Sequence, residues 1–200
     1  MIYKILKGLL AVIVVFVVAL SVAISYTSDC GPVVKAEGDT MKAIVSRCYG
    51  SSEALQFLDI EKPQPGPNDV IVKVHAAAVN PLDYHYMRGS PYLMRLAIGI
   101  GSPNDQRMGV DFSGIVAEVG SDVTKFSIGD AVFGGGAGAF AEYLRIGEDD
   151  ALAIKPDEIE HDQAAAIPIA AVTALQTLRD HGGLRSGQKV LINGASGGVG

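Results

Sequence analysis

Two hundred residues, 48% of them hydrophobic and 19% charged, with nine prolines, describe a chain that folds rather than one that stays disordered. A net charge of −6 and the lack of any basic stretch exclude nucleic acid as the main partner, because phosphates need cations to neutralise them. No CxxC pair or Cys/His cluster is present, so no zinc-ligand spacing exists either.

The mean hydropathy of +0.29 is high, and its source is local. After Lys4 and Lys7, the segment Leu9 to Ile24 is apolar except for Ser21. Counted from Ile5, it has the length needed to cross a bilayer core, and it lacks the polar stripe of a buried core helix. A cleaved signal peptide shares this layout. The run is longer than a usual signal core, however, and no clean small-x-small site follows it; Ser21-Val22-Ala23 comes nearest. The expectation is one transmembrane helix in residues 1–25, a single-pass anchor meeting lipid through residues 5–25, with a cleaved signal peptide as the alternative. Residues 26–40, with the Gly31-Pro32 break, read as a polar linker. Of the two cysteines, Cys48 reads as a small buried hydrophobe in a first strand.

From Met41 the pattern changes to short β segments separated by turns. Residues 41–48 alternate, 54–63 follow, and Val70 to Val74 has strand chemistry after a proline-glycine turn. Residues 109–120, 129–135 and 138–146 continue the series, with glycines at strand ends and bends. This is the pattern of a small, mostly β, barrel-like unit. Between them, Pro91 to Asp105 reads as a mixed apolar loop with a short helix. Past Ile154, Glu160 to Gln163 supply helix-start chemistry, and an alanine-rich helical stretch runs to about Leu178 before Gly182-Gly183 stop it. Pro168 lies inside that stretch, which predicts two helices or a kink. His75 is expected in a strand, His85 and His161 on the surface or in loops, and His181 at a helix C-terminus.

Lys189-Val190-Leu191-Ile192 is an apolar run of buried-strand type that leads into Ala195-Ser196-Gly197-Gly198-Val199-Gly200. A strand entering AxGxxG is the first half of a dinucleotide-binding turn, where backbone and helix N-terminus meet a pyrophosphate. Alone, it reads equally well as an ordinary strand-loop-helix turn. With no helix following, the chain is expected to be the front part of a longer protein.

Five stretches taken together carry a resemblance: 76–89 (AAAVNPLDYHYMRG), 109–134 (GVDFSGIVAEVGSDVTKFSIGDAVFG), 138–143 (GAFAEY), 170–178 (AAVTALQTL) and 186–200 (SGQKVLINGASGGVG). In this order and spacing the chain resembles the medium-chain dehydrogenase/reductase superfamily, and within it the zinc-free, quinone-oxidoreductase-like branch. The zinc-dependent members have a cysteine where this chain has Asn80, and Gly-His-Glu where it has Gly109-Val110-Asp111. Their four-cysteine zinc lobe is missing after Gly129-Asp130.

The resemblance implies an α/β protein with a mostly β GroES-like catalytic domain over 41–165. The start of a Rossmann domain would follow over 166–200. It implies a nicotinamide cofactor, NADP(H) ahead of NAD(H), no zinc, and hydride transfer to a conjugated carbonyl such as a quinone or enone. An enoyl reductase acting on thioesters, or a non-catalytic cofactor-binding protein of the same fold, are the alternatives; a homodimer is compatible with all of them. By resemblance, Asn80 lies beside the nicotinamide ribose with Asp83 and Tyr84 near it, these three forming the catalytic group. Asn80, Thr173 and Ala195, Ser196, Gly197, Gly198, Val199 and Gly200 hold the cofactor. Unaided, Asn80-Pro81 reads as turn initiation, Tyr84 as a packing tyrosine, and Thr173 as a helix threonine bonded to its own turn. Orientation in the membrane stays open, because the positive-inside rule sends the enzyme across while NAD(P)H is supplied from the cytoplasm.

Overall fold

A computed structural model describes residues 2–33 and 36–200. In chain order the elements are α1 (Ile2–Ser25), β1 (Thr40–Ser46), β2 (Leu55–Glu61), β3 (Asp69–Ala78), α2 (Pro81–Arg88), α3 (Arg95–Ile98), β4 (Asp111–Val119), β5 (Ala131–Gly135), β6 (Tyr143–Gly147), β7 (Leu152–Ile154), α4 (His161–Ala165) and α5 (Pro168–Leu175). The mixture is α/β, with most strands where the alternation places them. The chain divides into two compact units, one of residues 1–33, 45–56 and 84–106, the other of the remainder.

The larger unit is built on a five-stranded sheet in the order β6-β3-β4-β5-β7, with antiparallel pairings throughout. Its core is one face of that sheet. Val70 and Val72 of β3, Phe112 and Val116 of β4, Val132 of β5, and Leu144 and Ile146 of β6 are buried together with Phe126 and Ala139. Period-two alternation aims these side chains to one side, and removing their apolar area from water drives the closure. Gly114 lies directly against the backbone of β3. A Cβ there would lie 2.1 Å from the Lys73 carbonyl oxygen, so no larger residue fits. A register shift between Val74 and Ala76 follows in the partner strand. The first two strands pair with each other as a separate ribbon. A lone bridge, Ala43 to Ala141, lies ahead of β6.

The helical segment after Ile154 divides as the proline predicts. The first piece, α4, opens with a capping box in which Glu160 and Gln163 exchange side-chain and backbone bonds. Its successor α5 has Pro168 at its first turn, where the missing N–H costs nothing, and runs into a π-helical turn over Gln176–His181.

Two expectations are corrected. Residues 188–192 belong to no strand, and Leu191 is 95% exposed. A buried parallel strand needs ladder partners for its N–H and C=O groups, and among the described residues this segment has none. Cys48 is buried as expected, but it lies past β1 and is bonded in a disulfide to Cys30, the Cα atoms 4.7 Å apart. That bond joins the residues expected to be a free linker to the smaller unit.

Phe112 is fully buried at the centre of the core, whereas Phe57 on β2 is 69% exposed. Phe112→Ala should therefore cost about 3–5 kcal/mol of unfolding free energy and Phe57→Ala less than about 0.5 kcal/mol, measured by urea titration of each variant. Similar losses for both would show that the core is misassigned.

Candidate functional site

The register of β3 on β4 sets the site. Ala78, the last residue of β3, stands opposite Asp111, the first of β4. The chain leaving β3 turns within two residues into α2, because Asn80 and Pro81 are suited to a helix start. Asn80 Oδ1 accepts the Leu82 N–H at 3.0 Å, and Asp83 Oδ2 accepts the Asn80 N–H at 2.9 Å. This reciprocal cap locks both side chains. It realises the turn-initiating role of Asn-Pro, and it brings Asn80 and Asp83 together.

The cap leaves two polar atoms over. Asn80 Nδ2 and Asp83 Oδ1 are buried and have no hydrogen-bond partner in the protein. A buried donor and a buried acceptor left unpaired each cost free energy, on the order of 1–3 kcal/mol, unless something else satisfies them. One donor and one acceptor side by side suit a hydroxyl-bearing ligand such as a ribose, so the residues present fit the sugar of a nicotinamide cofactor.

Asp111 is 2% exposed, and both of its carboxylate oxygens accept the Ile169 N–H at 3.2 Å. A negative charge at the first turn of α5 is favoured by the helix dipole. It ties the strand to the helix that carries Thr173. Burial pushes the Asp83 carboxyl above its ordinary 3.8, against the pull of the Asn80 and Asp83 backbone N–H groups. Asp111 is also pushed up, first by burial and then by the neighbouring Asp83 charge, while the Ile169 bond opposes.

Tyr84 is 46% exposed, its ring edge-on to His85 and under the Arg88 guanidinium at 4.5 Å. Thr173 is exposed on α5, and the threonine that bonds back along the helix is Thr177, whose hydroxyl donates to the Thr173 carbonyl at 2.7 Å. The glycine turn closes through Gly197 N–H to Gly194 O at 2.9 Å and Gly200 N–H to Gly197 O at 3.2 Å. A Cβ on Gly200 would sit 2.4 Å from the Gly194 oxygen, while one on Gly198 would meet nothing. With Ala174, Thr177 and Leu178, the residues from Ile192 to Gly200, Ala195 and Ser196 excepted, line a pocket of about 450 Å³. Helix and glycine turn therefore share one cavity, and the open Gly198 backbone is the side a phosphate could approach.

Sequence reasoning missed a second polar group. His161, expected on the surface or in a loop, begins α4 with its Nδ1 2.7 Å from Ser113 Oγ, and its ring stacks on His75 at 4.7 Å. Ser113 donates to the Val132 carbonyl, so His161 Nδ1–H is left as the donor to Oγ. Burial, then His75, then Lys155 hold His161 below its ordinary 6.5, with Glu160 opposing. The pairing of β3 with β4, with α4 packed on both strands, brings these positions together. Among the described residues, no three His, Cys, Asp or Glu side chains are grouped as a metal site requires.

Residues 66–157 match the alcohol dehydrogenase GroES-like domain family. Over 80% of its length the chain is 35% identical to a quinone oxidoreductase of Pseudomonas aeruginosa, of which it covers 47%. Over the same share it is 36% identical to a mitochondrial NAD(P)H oxidoreductase of Homo sapiens, covering 44% of that protein. The solved structure of the quinone oxidoreductase from Coxiella burnetii superposes on 71% of the chain with a TM-score of 0.63 at 36% identity, 45% of that chain being covered. The chain thus spans about half the length of the relatives it matches.

The raised Asp83 fixes a pH dependence. A carboxyl whose folded pKa lies above the unfolded one supports the fold when protonated, and that support is lost as pH rises from about 3.8 through the folded value. Asp111 acts with the same sign, and His161, depressed, with the opposite one. Asp83→Asn keeps an oxygen for the Asn80 N–H and removes the buried charge. Its melting temperature relative to the unsubstituted protein should rise as pH climbs above about 3.8 and level off once the folded value is passed; a difference that is flat or falls with pH would show that burial does not raise the Asp83 carboxyl.

Proposed function

Since the chain carries the GroES-like domain of the medium-chain dehydrogenase/reductase superfamily and resembles its quinone-oxidoreductase branch, we propose that it serves as a zinc-independent NAD(P)H-dependent reductase of conjugated carbonyls. The observation that carries this reading is the unpaired Asn80 Nδ2 and Asp83 Oδ1 at the end of β3. The nicotinamide, when bound, supplies the hydride. Asn80 and Asp83, fixed by their mutual cap, offer the donor and acceptor that orient a ribose. The glycine turn of 195–200 serves the pyrophosphate side, as the opening of a Rossmann domain after the GroES-like unit, and Thr173 serves the nicotinamide side.

Zinc independence rests on residue chemistry. Val110 has no ligand atom, and Asn80 replaces a thiolate with an amide. Reducing an isolated ketone gathers charge on one oxygen, which a Lewis acid would stabilise. A quinone or enone spreads the incoming charge over its conjugated system, so a few hydrogen-bond donors suffice. The Tyr84 hydroxyl and backbone N–H groups are such donors, with the final proton drawn from water. NADP(H) is favoured over NAD(H), and a homodimer fits the reading.

The anchor belongs to the same proposal. Among the described residues one helix, Leu6–Ser25, is long and apolar enough to cross a membrane, with none of its span buried. Lys4 ahead of it and Lys7 in its first turn favour export of the rest. The Cys30–Cys48 disulfide points the same way, because such bonds persist in oxidising compartments. That placement removes the domain from the cytoplasmic NAD(P)H pool. It is the one observation favouring the alternative of a protein that holds a cofactor without turnover.

Activity should be undiminished in a chelator and greater on quinones or enones than on simple alcohols. Asn80→Ala should lower kcat/KM roughly 10- to 100-fold and Tyr84→Phe less than about five-fold, because Asn80 also places the cofactor. Loss of activity on removing zinc, or a larger effect at Tyr84, would overturn the mechanism.

A further inference from the structure

The end of α1 is not free. Its last turn and the residues after it are bonded to the segment that contains α3. Arg95, 3% exposed, donates through Nη1 to the carbonyls of Ile24 at 3.2 Å and Tyr26 at 2.7 Å and to Thr27 Oγ1 at 3.0 Å. Its Nε donates to Gly89 O at 2.8 Å, and its guanidinium lies between the Tyr49 and Tyr92 rings at 4.3 and 4.7 Å. The Ser28 N–H donates to Gly101 O at 2.8 Å, Thr27 bridges Gly101, and Cys30 is bonded to Cys48. The end of α1 and residues 26–30, the opening of the stretch whose composition reads as a polar linker, are therefore a fixed mount.

The surface beside this mount is apolar. Tyr92, Leu93, Leu96 and Ile100 are 53, 67, 49 and 54% exposed, and Tyr26, which packs on Gly101, is 61% exposed. They lie on the segment that holds the end of a 20-residue span of mean hydropathy 2.9, none of it buried in protein. Whatever solvates that helix is delivered to their side. Tyrosines at the mouth of an apolar helix, with the exposed cation of Arg88 nearby, match the chemistry of the headgroup boundary.

We propose that Tyr26, Tyr92, Leu93, Leu96 and Ile100 form a membrane-docking face, seated in the interface of the bilayer that α1 enters. The proposal rests on the anchor reading above and adds that Arg95 and the disulfide hold the smaller unit on the lipid surface instead of letting it swing. Exposed apolar side chains gain by leaving water for the acyl boundary, and the mount has already paid the entropy of bringing them there.

The chain has no tryptophan, so single substitutions report without background. The full chain, reconstituted in phosphatidylcholine vesicles with brominated acyl chains, is compared in two variants, Phe16→Trp in the span and Leu93→Trp on the face. Both should be quenched at least about two-fold relative to unbrominated vesicles, with Leu93→Trp blue-shifted from its position in detergent-free buffer after protease release. Quenching of Phe16→Trp with Leu93→Trp unquenched leaves the anchor standing and overturns the docking face. Quenching of neither overturns the anchor, and the docking face with it. Leu96→Trp repeats the test at a second position, and a result opposite to Leu93→Trp would also overturn it.

Discussion

The structure depends above all on the antiparallel pairing of β3 with β4. It buries the valines of one strand against Phe112 and Val116 of the other, and it closes at Ala78 opposite Asp111. The glycine at 114 makes this contact tight, since any Cβ would strike the facing backbone. One end of the ladder therefore has a fixed address. The cap of Asn80 and Asp83 emerges there, and there Asp111 reaches the first turn of α5. Shifting the register by one residue would turn the core outward and part these groups together.

The polar chemistry at that address is costly by the usual rules. Two carboxyls are buried close enough for one to raise the other, and a donor and an acceptor remain unpaired. A fold accepts such a penalty where a ligand removes it, and for this reason the same atoms carry the functional reading. In the proposed reading the hydroxyl pattern of a ribose answers both orphaned atoms, and the pocket shared by the glycine turn and the helix from Ala174 to Leu178 offers open backbone.

Local patterns made much of this readable. Strand positions followed from alternating apolar residues between glycines, and Pro168 announced the break between α4 and α5. Asn80 and Asp83 were found through their motif, though what binds them together is an ordinary helix cap. Contacts between distant positions were not readable. Cys30 and Cys48 lie 18 residues apart with no spacing that implies a bond, and Arg95 looked like one residue of a mixed loop. His161 meets Ser113 and His75 across strands, so nothing in its neighbours in sequence announces it. The apolar run at 189–192 had the composition of a strand, but a strand is defined by partners that composition does not supply.

The central claim is that Asp111, fixed by the ladder, holds α5 in place at the site. Hydrogen exchange at the Ile169 amide tests it most directly. That amide should exchange slowly in the unsubstituted protein and near the rate of a free helix end in Asp111→Ala, with the Val116 amide, bonded to the Asp130 carbonyl, protected in both. Equal protection of Ile169 in the two proteins, with Val116 unchanged, would contradict the account.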